Sequence, residues 1–270
     1  MNAAQLAALS TRRVWAMDVD YLHGMFNAAR KFTNDKFIVP VGETPNSGPR
    51  VNTVGKMAVL PLHGVIEQRA SIWMEWFGGC STDRFGAMYQ TLMGDPKIKG
   101  IVVDIDSPGG TVPGVMELSD MIYASRGRKP VVGVANSKSA SAAYWIGSAF
   151  DQLYVTPSGG VGSVGVYSMH LDFSKALENE GIVPTLFAMP EFKAEFNGFS
   201  PLSDATKEHE MGEIDRIYGQ FVSAVAKHRG TTAANVRQNY GKGRMVDAQT
   251  AVAAGMADKV ATLEQVVSRM

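Results

Sequence analysis

The sequence is short of cysteine, of net charge and of long apolar runs, and each shortage removes a class of protein. Its one cysteine, Cys80, excludes an intrachain disulfide and reads as a small buried apolar residue. Lys plus Arg number 26 and Asp plus Glu number 26, so the chain has no basic excess with which to neutralise phosphates. Nucleic acid is therefore not an expected partner. No stretch reaches the roughly 18 apolar residues that a membrane helix needs. The first residues, MNAAQLAALSTRRVWAMDVDYLHGMF, lack the basic start and apolar run of a secretory signal. The expected location is the cytoplasm, with no membrane partner. Nothing in the pattern implies a metal or other cofactor.

What is present is enough apolar material for a core. Residues 3–32 read as helical, with Leu6, Leu9, Val14, Met17, Leu22, Met25 and Phe26 as the apolar positions. Residues 1–38 are thus expected to form a helical N-terminal extension. Residues 39–56, rich in Pro, Gly, Asn and Thr, read as a linker. From Met57 onward strands alternate with helices, which predicts one α/β domain over 57–270 with largely parallel strands. The run Ile98–Ile105 reads as a strand buried on both faces. TDRFGAMYQTLMGD reads as a helix with Thr82 as its N-cap, and PGVMELSDMIYASR as a helix with Pro113 in its first turn. PVVGVANS, DQLYVT, GSVGVYS and IVPTLFA read as strands, and DFSKALENEG as a helix closed by Gly181. The segment from Asp204 to Gly230 reads as a long amphipathic helix with Ile214, Ile217, Phe221, Val222 and Val225 on its apolar stripe.

Two strand ends carry candidate chemistry. Ser141 follows the strand PVVGVA and the polar turn NSKSA, and opens an alanine-rich helix. That position exposes a hydroxyl at a strand-to-helix turn, with small neighbours that let a substrate backbone approach. It also suits a plain helix N-cap serine. Asp106-Ser107-Pro108-Gly109-Gly110 ends the preceding buried strand, and paired glycines there free backbone N–H groups to face a ligand oxygen. It is equally a tight turn. In a parallel sheet both motifs fall on one edge, where sites form.

A serine nucleophile needs a base. His23, His63, His209 and His228 read as structural or solvated, and His170 is the one competing histidine. Lys193 lies in the irregular segment PEFKAEFNGFSPLS beside Phe192, Phe196 and Phe199. Apolar neighbours disfavour an ammonium, and a neutral amine can accept the serine proton. Glu191 and Glu195 act in the opposite sense and must point away. On pattern alone Lys193 is equally a surface lysine.

The segments VLPLHGVI, IVVDIDSPGG, NSKSASAAYWIGSAFDQLYVTP, GSVGV, DFSKALENEGI, FKAEFNGFSPLS, the helix ending AVAKHRG, and AVAAGMADKVATLEQVV span about 57 to 266. Through them the chain resembles the signal peptide peptidase A family of serine peptidases, and within it the branch of phage capsid-maturation (head) proteases and their prophage relatives. The resemblance implies a fold like that of ClpP and crotonase, a superhelix of stacked β-β-α turns. It implies Ser141 as nucleophile, Lys193 as general base, and Gly109 with Gly110 as the oxyanion hole. It implies a peptide groove lined by Thr111 and Val112 and by Gly162, Ser163, Val164 and Gly165. It also implies a homo-oligomer whose serine and lysine come from neighbouring subunits. The substrates implied are capsid, scaffold or portal proteins in the host cytoplasm or within an assembling procapsid.

Two departures stand out. Cellular members usually have Ser-Gly-Gly-Tyr where this chain has Ser141-Ala142-Ala143-Tyr144. Phage relatives often have His where this chain has Phe192. The competing readings are a cellular enzyme degrading leader peptides, a catalytically silent capsid-assembly protein, and an acyl-CoA enzyme of the crotonase type. ClpP itself requires a histidine soon after the serine, and TPSGGVGSVG contains none.

Overall fold

The structure is a computed structural model that describes residues 14–19, 21, 50–70, 74 and 78–270. It is a mixed α/β fold whose strands and helices alternate as the sequence pattern predicts. In chain order the strands are β1 (Trp15–Met17), β2 (Asn52–Val54), β3 (Met57–His63), β4 (Val65–Glu67), β5 (Gly79–Ser81), β6 (Gly100–Ser107), β7 (Gly109–Thr111), β8 (Val131–Ala140), β9 (Gln152–Val155), β10 (Gly160–Gly162), β11 (Met245–Asp247) and β12 (Lys259–Val260). The α-helices are α1 (Thr82–Gly94), α2 (Val115–Ala124), α3 (Ala142–Ser148), α4 (Ser174–Asn179), α5 (Asp204–His228), α6 (Ala233–Asn239), α7 (Ala248–Ala253) and α8 (Leu263–Val267).

Among the described residues the strands form two sheets. The larger runs β11-β10-β8-β6-β3-β2, with β9 pairing both β8 and β12. Its centre is parallel: β3 with β6, β6 with β8, β8 with β9 and with β10. The smaller runs β1-β7-β4-β5, with β1 antiparallel to β7. β6 is buried on both faces, as its apolar run requires. Ile101, Val103 and Ile105 join the main core with α1, α2 and α3, while Val102 packs on the other side with Met57, Val132, Val134 and Val266. α3 is fully buried, and Trp145 stacks on Phe221 of α5 with ring centroids 4.4 Å apart.

Several local expectations are corrected. Trp15–Met17 is a strand, not part of a helix, because a long-range partner satisfies its backbone. Most of the expected N-terminal extension lies outside the described residues. Asn52–Val54, read as linker, is a strand paired with Met57–Val59. Ser81, not Thr82, caps α1, its hydroxyl accepting from Arg84 N–H. Pro113 precedes the α2 cap, Gly114, which is left-handed. Of GSVGVYS only Gly162, the end of β10, lies in a strand, with Tyr167 in an isolated bridge, and IVPTLFA has no partner strand among the described residues and is exposed throughout.

The closing helices are tied to the sheet by charge. Arg229 donates to both carboxylate oxygens of Asp258 at 3.0 and 2.9 Å, and Asp258 also accepts from Leu153 N–H at 2.7 Å. Burial opposes ionisation of Asp258. The bonds from Arg229 and Leu153, with the charges of Arg229 and Arg126, outweigh it and hold the carboxyl below its ordinary value.

Candidate active site

β6 and β8 are neighbours, and their carboxyl ends bring the two motifs together: Ser107 pairs with Ser139. β6 leads through Pro108 into Gly109 and Gly110, and β8 leads through Ala140 into Ser141. Ser141 holds φ 53° and ψ −115°, a conformation L-residues rarely adopt. Such strain costs of order 1–3 kcal/mol and persists only where surrounding structure enforces it. Here Ser141 N–H is held by Gly162 O at 2.8 Å, and Ser141 O receives Trp145 N–H at 2.9 Å. The hydroxyl makes no cap to α3. It donates to Gly165 O at 3.3 Å, so the simple N-cap reading of this serine does not hold.

The glycine turn is shaped by space as well as by dihedral. Gly109 has φ +92°, and a Cβ on it would stand 3.0 Å from both Ala140 O and Ser141 Cβ. A Cβ on Gly110 would fall 1.8 Å from Ile66 O. No side chain fits at Gly110, and one at Gly109 needs its neighbours to move. Gly109 N–H donates to Ser107 Oγ at 3.2 Å, and Ser107 Oγ in turn donates to Gly64 O at 2.6 Å, so in this structure the Gly109 N–H is engaged within the turn.

Thr111 and Val112 continue from the turn. Gly162 O and Gly165 O lie against Ser141, accepting from its N–H and its hydroxyl, and Ser163 N–H donates to Arg244 O. Between β7 and Tyr167 lies a segment that the sequence pattern did not place there. β1 pairs antiparallel with β7, matching Trp15 to Thr111, Ala16 to Gly110 and Met17 to Gly109. Val112 N–H reaches Val14 O at 3.4 Å and Asp18 N–H reaches Pro108 O at 2.8 Å. On the other side Trp15 and Tyr167 exchange both backbone bonds, at 2.8 and 3.0 Å. Its signal was the β-prone pair Val14-Trp15, masked by spacing that also suits a helix.

Lys193 is not brought to Ser141 within the chain. It sits on a 3-10 turn, Glu191–Ala194, exposed and without a side-chain hydrogen bond or ion pair among the described residues. Its expected apolar surroundings are only partly present among the described residues: Phe196 is half-buried edge-on to His170, while Phe192 is 58% and Phe199 44% exposed. Val183, Leu186, Phe187 and Met189 are exposed on the same segment. Glu195 is turned away, accepting from Thr206 Oγ1 at 3.3 Å. His170 pins this segment, its Nε2 donating to Asn197 O at 2.7 Å.

The histidines have other occupations. His63 bonds Asp104 at 3.1 Å, and that bond raises its proton affinity against partial burial. His228 is buried against Tyr123 and bonded to Ser148 Oγ at 2.9 Å. Burial, then the Arg126 and Lys227 charges, push it down to about 4. His209 is exposed, and His23 lies outside the described residues. Cys80 is buried, its thiol pushed up to about 12 by desolvation, which makes it inert.

These features define a class: a strained serine at the carboxyl edge of a parallel sheet, flanked by a two-glycine turn and a groove that pairs with extended backbone. The chain belongs to peptidase family S49, whose family model matches residues 124–270. It is 30% identical to the head-tail preconnector protein GP5 of Enterobacteria phage P21, over 80% of this chain and 43% of that protein. It is 29% identical to the capsid assembly protease C of Escherichia phage lambda, over 83% of this chain and 52% of that protein. It is 23% identical to Protease 4 of Haemophilus influenzae, over 84% of this chain and 36% of that protein. The chain thus spans about half the length of the phage relatives it matches. No helix among the described residues is long and apolar enough to cross a membrane.

Proposed function

We propose that this chain is a serine endopeptidase that processes capsid, scaffold or portal proteins during phage head assembly, on a fold of the ClpP and crotonase type. Ser141 is the nucleophile and Lys193 of a neighbouring subunit is the general base. The observation that carries the reading is the strained Ser141 turn beside Gly109 and Gly110, with a hydroxyl that caps nothing. Lys193 Nζ takes the hydroxyl proton, and Ser141 Oγ adds to the peptide carbonyl. The Gly109–Gly110 turn holds the oxyanion. The proton passes to the leaving amine, and water then releases the acyl group.

The shared dyad is supported by what one chain lacks. Lys193 has no side-chain partner among the described residues, and the segment around it exposes Val183, Phe187, Met189 and Phe192 to water. Exposed apolar patches of that kind mark a contact surface. A neighbour covering them would exclude water from Lys193 and favour its neutral form. The phage relatives' names favour head-assembly substrates over leader peptides.

The test is hydrolysis of casein by Ser141→Ala and Lys193→Ala, alone and mixed under conditions that exchange subunits. Each variant alone is expected to be inactive, and the mixture to recover part of the wild-type rate. Two inactive variants that never rescue each other would remove the shared dyad. An active Ser141→Ala would remove the peptidase reading itself.

A further inference from the structure

The strand β1 lies where the proposed mechanism needs a substrate. We infer that residues 14–18 are an internal substrate of this enzyme, bound for cleavage of the Ala16–Met17 bond, and that they display its specificity. The inference rests on the Ser141 peptidase reading.

Register places the bond. In an antiparallel pair, hydrogen-bonded and non-bonded residue pairs alternate. The bonds Val14–Val112 and Asp18–Pro108 therefore make Ala16–Gly110 a hydrogen-bonded pair, which aims Gly110 N–H at Ala16 O. That N–H belongs to the turn assigned to the oxyanion. A methyl built on Gly109 would stand 2.2 Å from Ala16 O and 3.0 Å from Ser141 Cβ, so the carbonyl and the serine face each other across Gly109. Ser141 has no exposed surface, and neither has Ala16. The peptide is gripped on both edges, by β7 and by Tyr167, which is recognition by strand addition.

The side chains alternate as a strand's must. The Ala16 methyl joins the main core and is fully enclosed. Trp15 and Met17 point to the opposite face and pack with Val65, Tyr21 and Tyr167. The groove therefore takes a small residue before the cut, flanked on both sides by large apolar residues. Beside Val14 a cleft of about 780 Å³, lined by Thr111, Met116, Trp145 and Ile217, leaves room for chain further upstream.

In the reaction, Ser141 Oγ bonds to the Ala16 carbonyl carbon and the bond to Met17 nitrogen breaks. The serine proton, carried by Lys193, ends on that nitrogen. Water then splits the ester, leaving an Ala16 carboxylate and a chain that begins at Met17.

Two measurements on the full chain test this, with casein hydrolysis run alongside as a check on the peptidase reading. Amide hydrogen exchange on Ser141→Ala, which cannot cut, reads occupancy without activity. Trp15 and Asp18 amides, which donate to Tyr167 O and Pro108 O, are expected to exchange slowly, and fast exchange at both overturns the inference. Mass spectrometry of the wild-type chain is expected to find a new N-terminus at Met17. It should be absent in Ser141→Ala and about 100-fold slower to form in Ala16→Phe, which displaces the carbonyl from the serine. An enzyme that hydrolyses casein through Ser141 yet leaves the 14–18 segment whole overturns the inference and spares the peptidase reading. Loss of casein hydrolysis and of the cut together overturns both.

Discussion

Replacing Gly109 by alanine tests the groove at a single atom. At φ +92° any L-residue carries a backbone cost of about 1–2 kcal/mol. The contacts at 3.0 Å with Ala140 O and Ser141 Cβ require shifts of only tenths of an ångström in the turn. The 2.2 Å approach to Ala16 O is different, because it falls on the carbonyl of whatever peptide fills the groove. Any substrate in that register is pushed off the turn proposed to hold the oxyanion, and losing one oxyanion donor costs about 100-fold or more in rate. Gly127→Ala is the control: φ is +80° and nothing lies within 4 Å of the new methyl, so it carries the same strain with no contact. Urea unfolding is expected to show Gly127→Ala about 1–2 kcal/mol less stable than wild type, and Gly109→Ala less stable by more than that, because its methyl also displaces Ala16 O of β1. kcat/KM on a fluorogenic peptide is expected to collapse for Gly109→Ala alone. If both variants hydrolyse the peptide at the wild-type rate, the groove is not where peptide binds and the reasoning fails.

Three further outcomes follow from the packing. Asp258→Ala leaves Arg229 without its partner in a largely buried setting and is expected to cost about 3 kcal/mol in chemical denaturation, whereas a loss under 1 kcal/mol would show the pair to be solvent-screened. The folded protein keeps His228 neutral down to about pH 4, while the unfolded chain takes up that proton near 6.5. Stability therefore falls as pH drops through that window, by at most about 1.4 kcal/mol per unit from this group, and His228→Gln should flatten the fall in pH-dependent melts. Phe221→Ala empties the face of Trp145 and is expected to cost about 3–5 kcal/mol, read from thermal unfolding.

The parallel centre of the fold was legible because its strands carry their own signal. The run Ile98–Ile105 carries Ile101, Val102 and Val103 in succession, so both faces of the strand are apolar there and it reads as buried whatever its neighbours are. Ser141 and the Asp106–Gly110 turn were legible because strand ends and paired glycines are local features. The failures share one physical cause, a partner distant in sequence. Trp15–Met17 is strand only because Gly109–Thr111 supplies its hydrogen bonds, and a four-residue apolar spacing cannot announce that. Ile182–Phe187 has the composition of a strand and no partner strand among the described residues, and it is irregular and exposed. Lys193 was marked by its phenylalanine neighbours; Phe196 packs edge-on against His170, but Phe192 and Phe199 face water because no part of this chain's described residues covers them.

The account turns on whether Lys193 of one subunit activates Ser141 of another. A fluorescent fluorophosphonate, followed by peptide mapping, measures that activation at the serine itself. The expected result is one adduct on Ser141 in the assembled wild type, none in Ser141→Ala, and labelling slowed by about 100-fold or more in Lys193→Ala, the scale of a lost general base. Labelling of Ser141 at an unchanged rate in Lys193→Ala would contradict it.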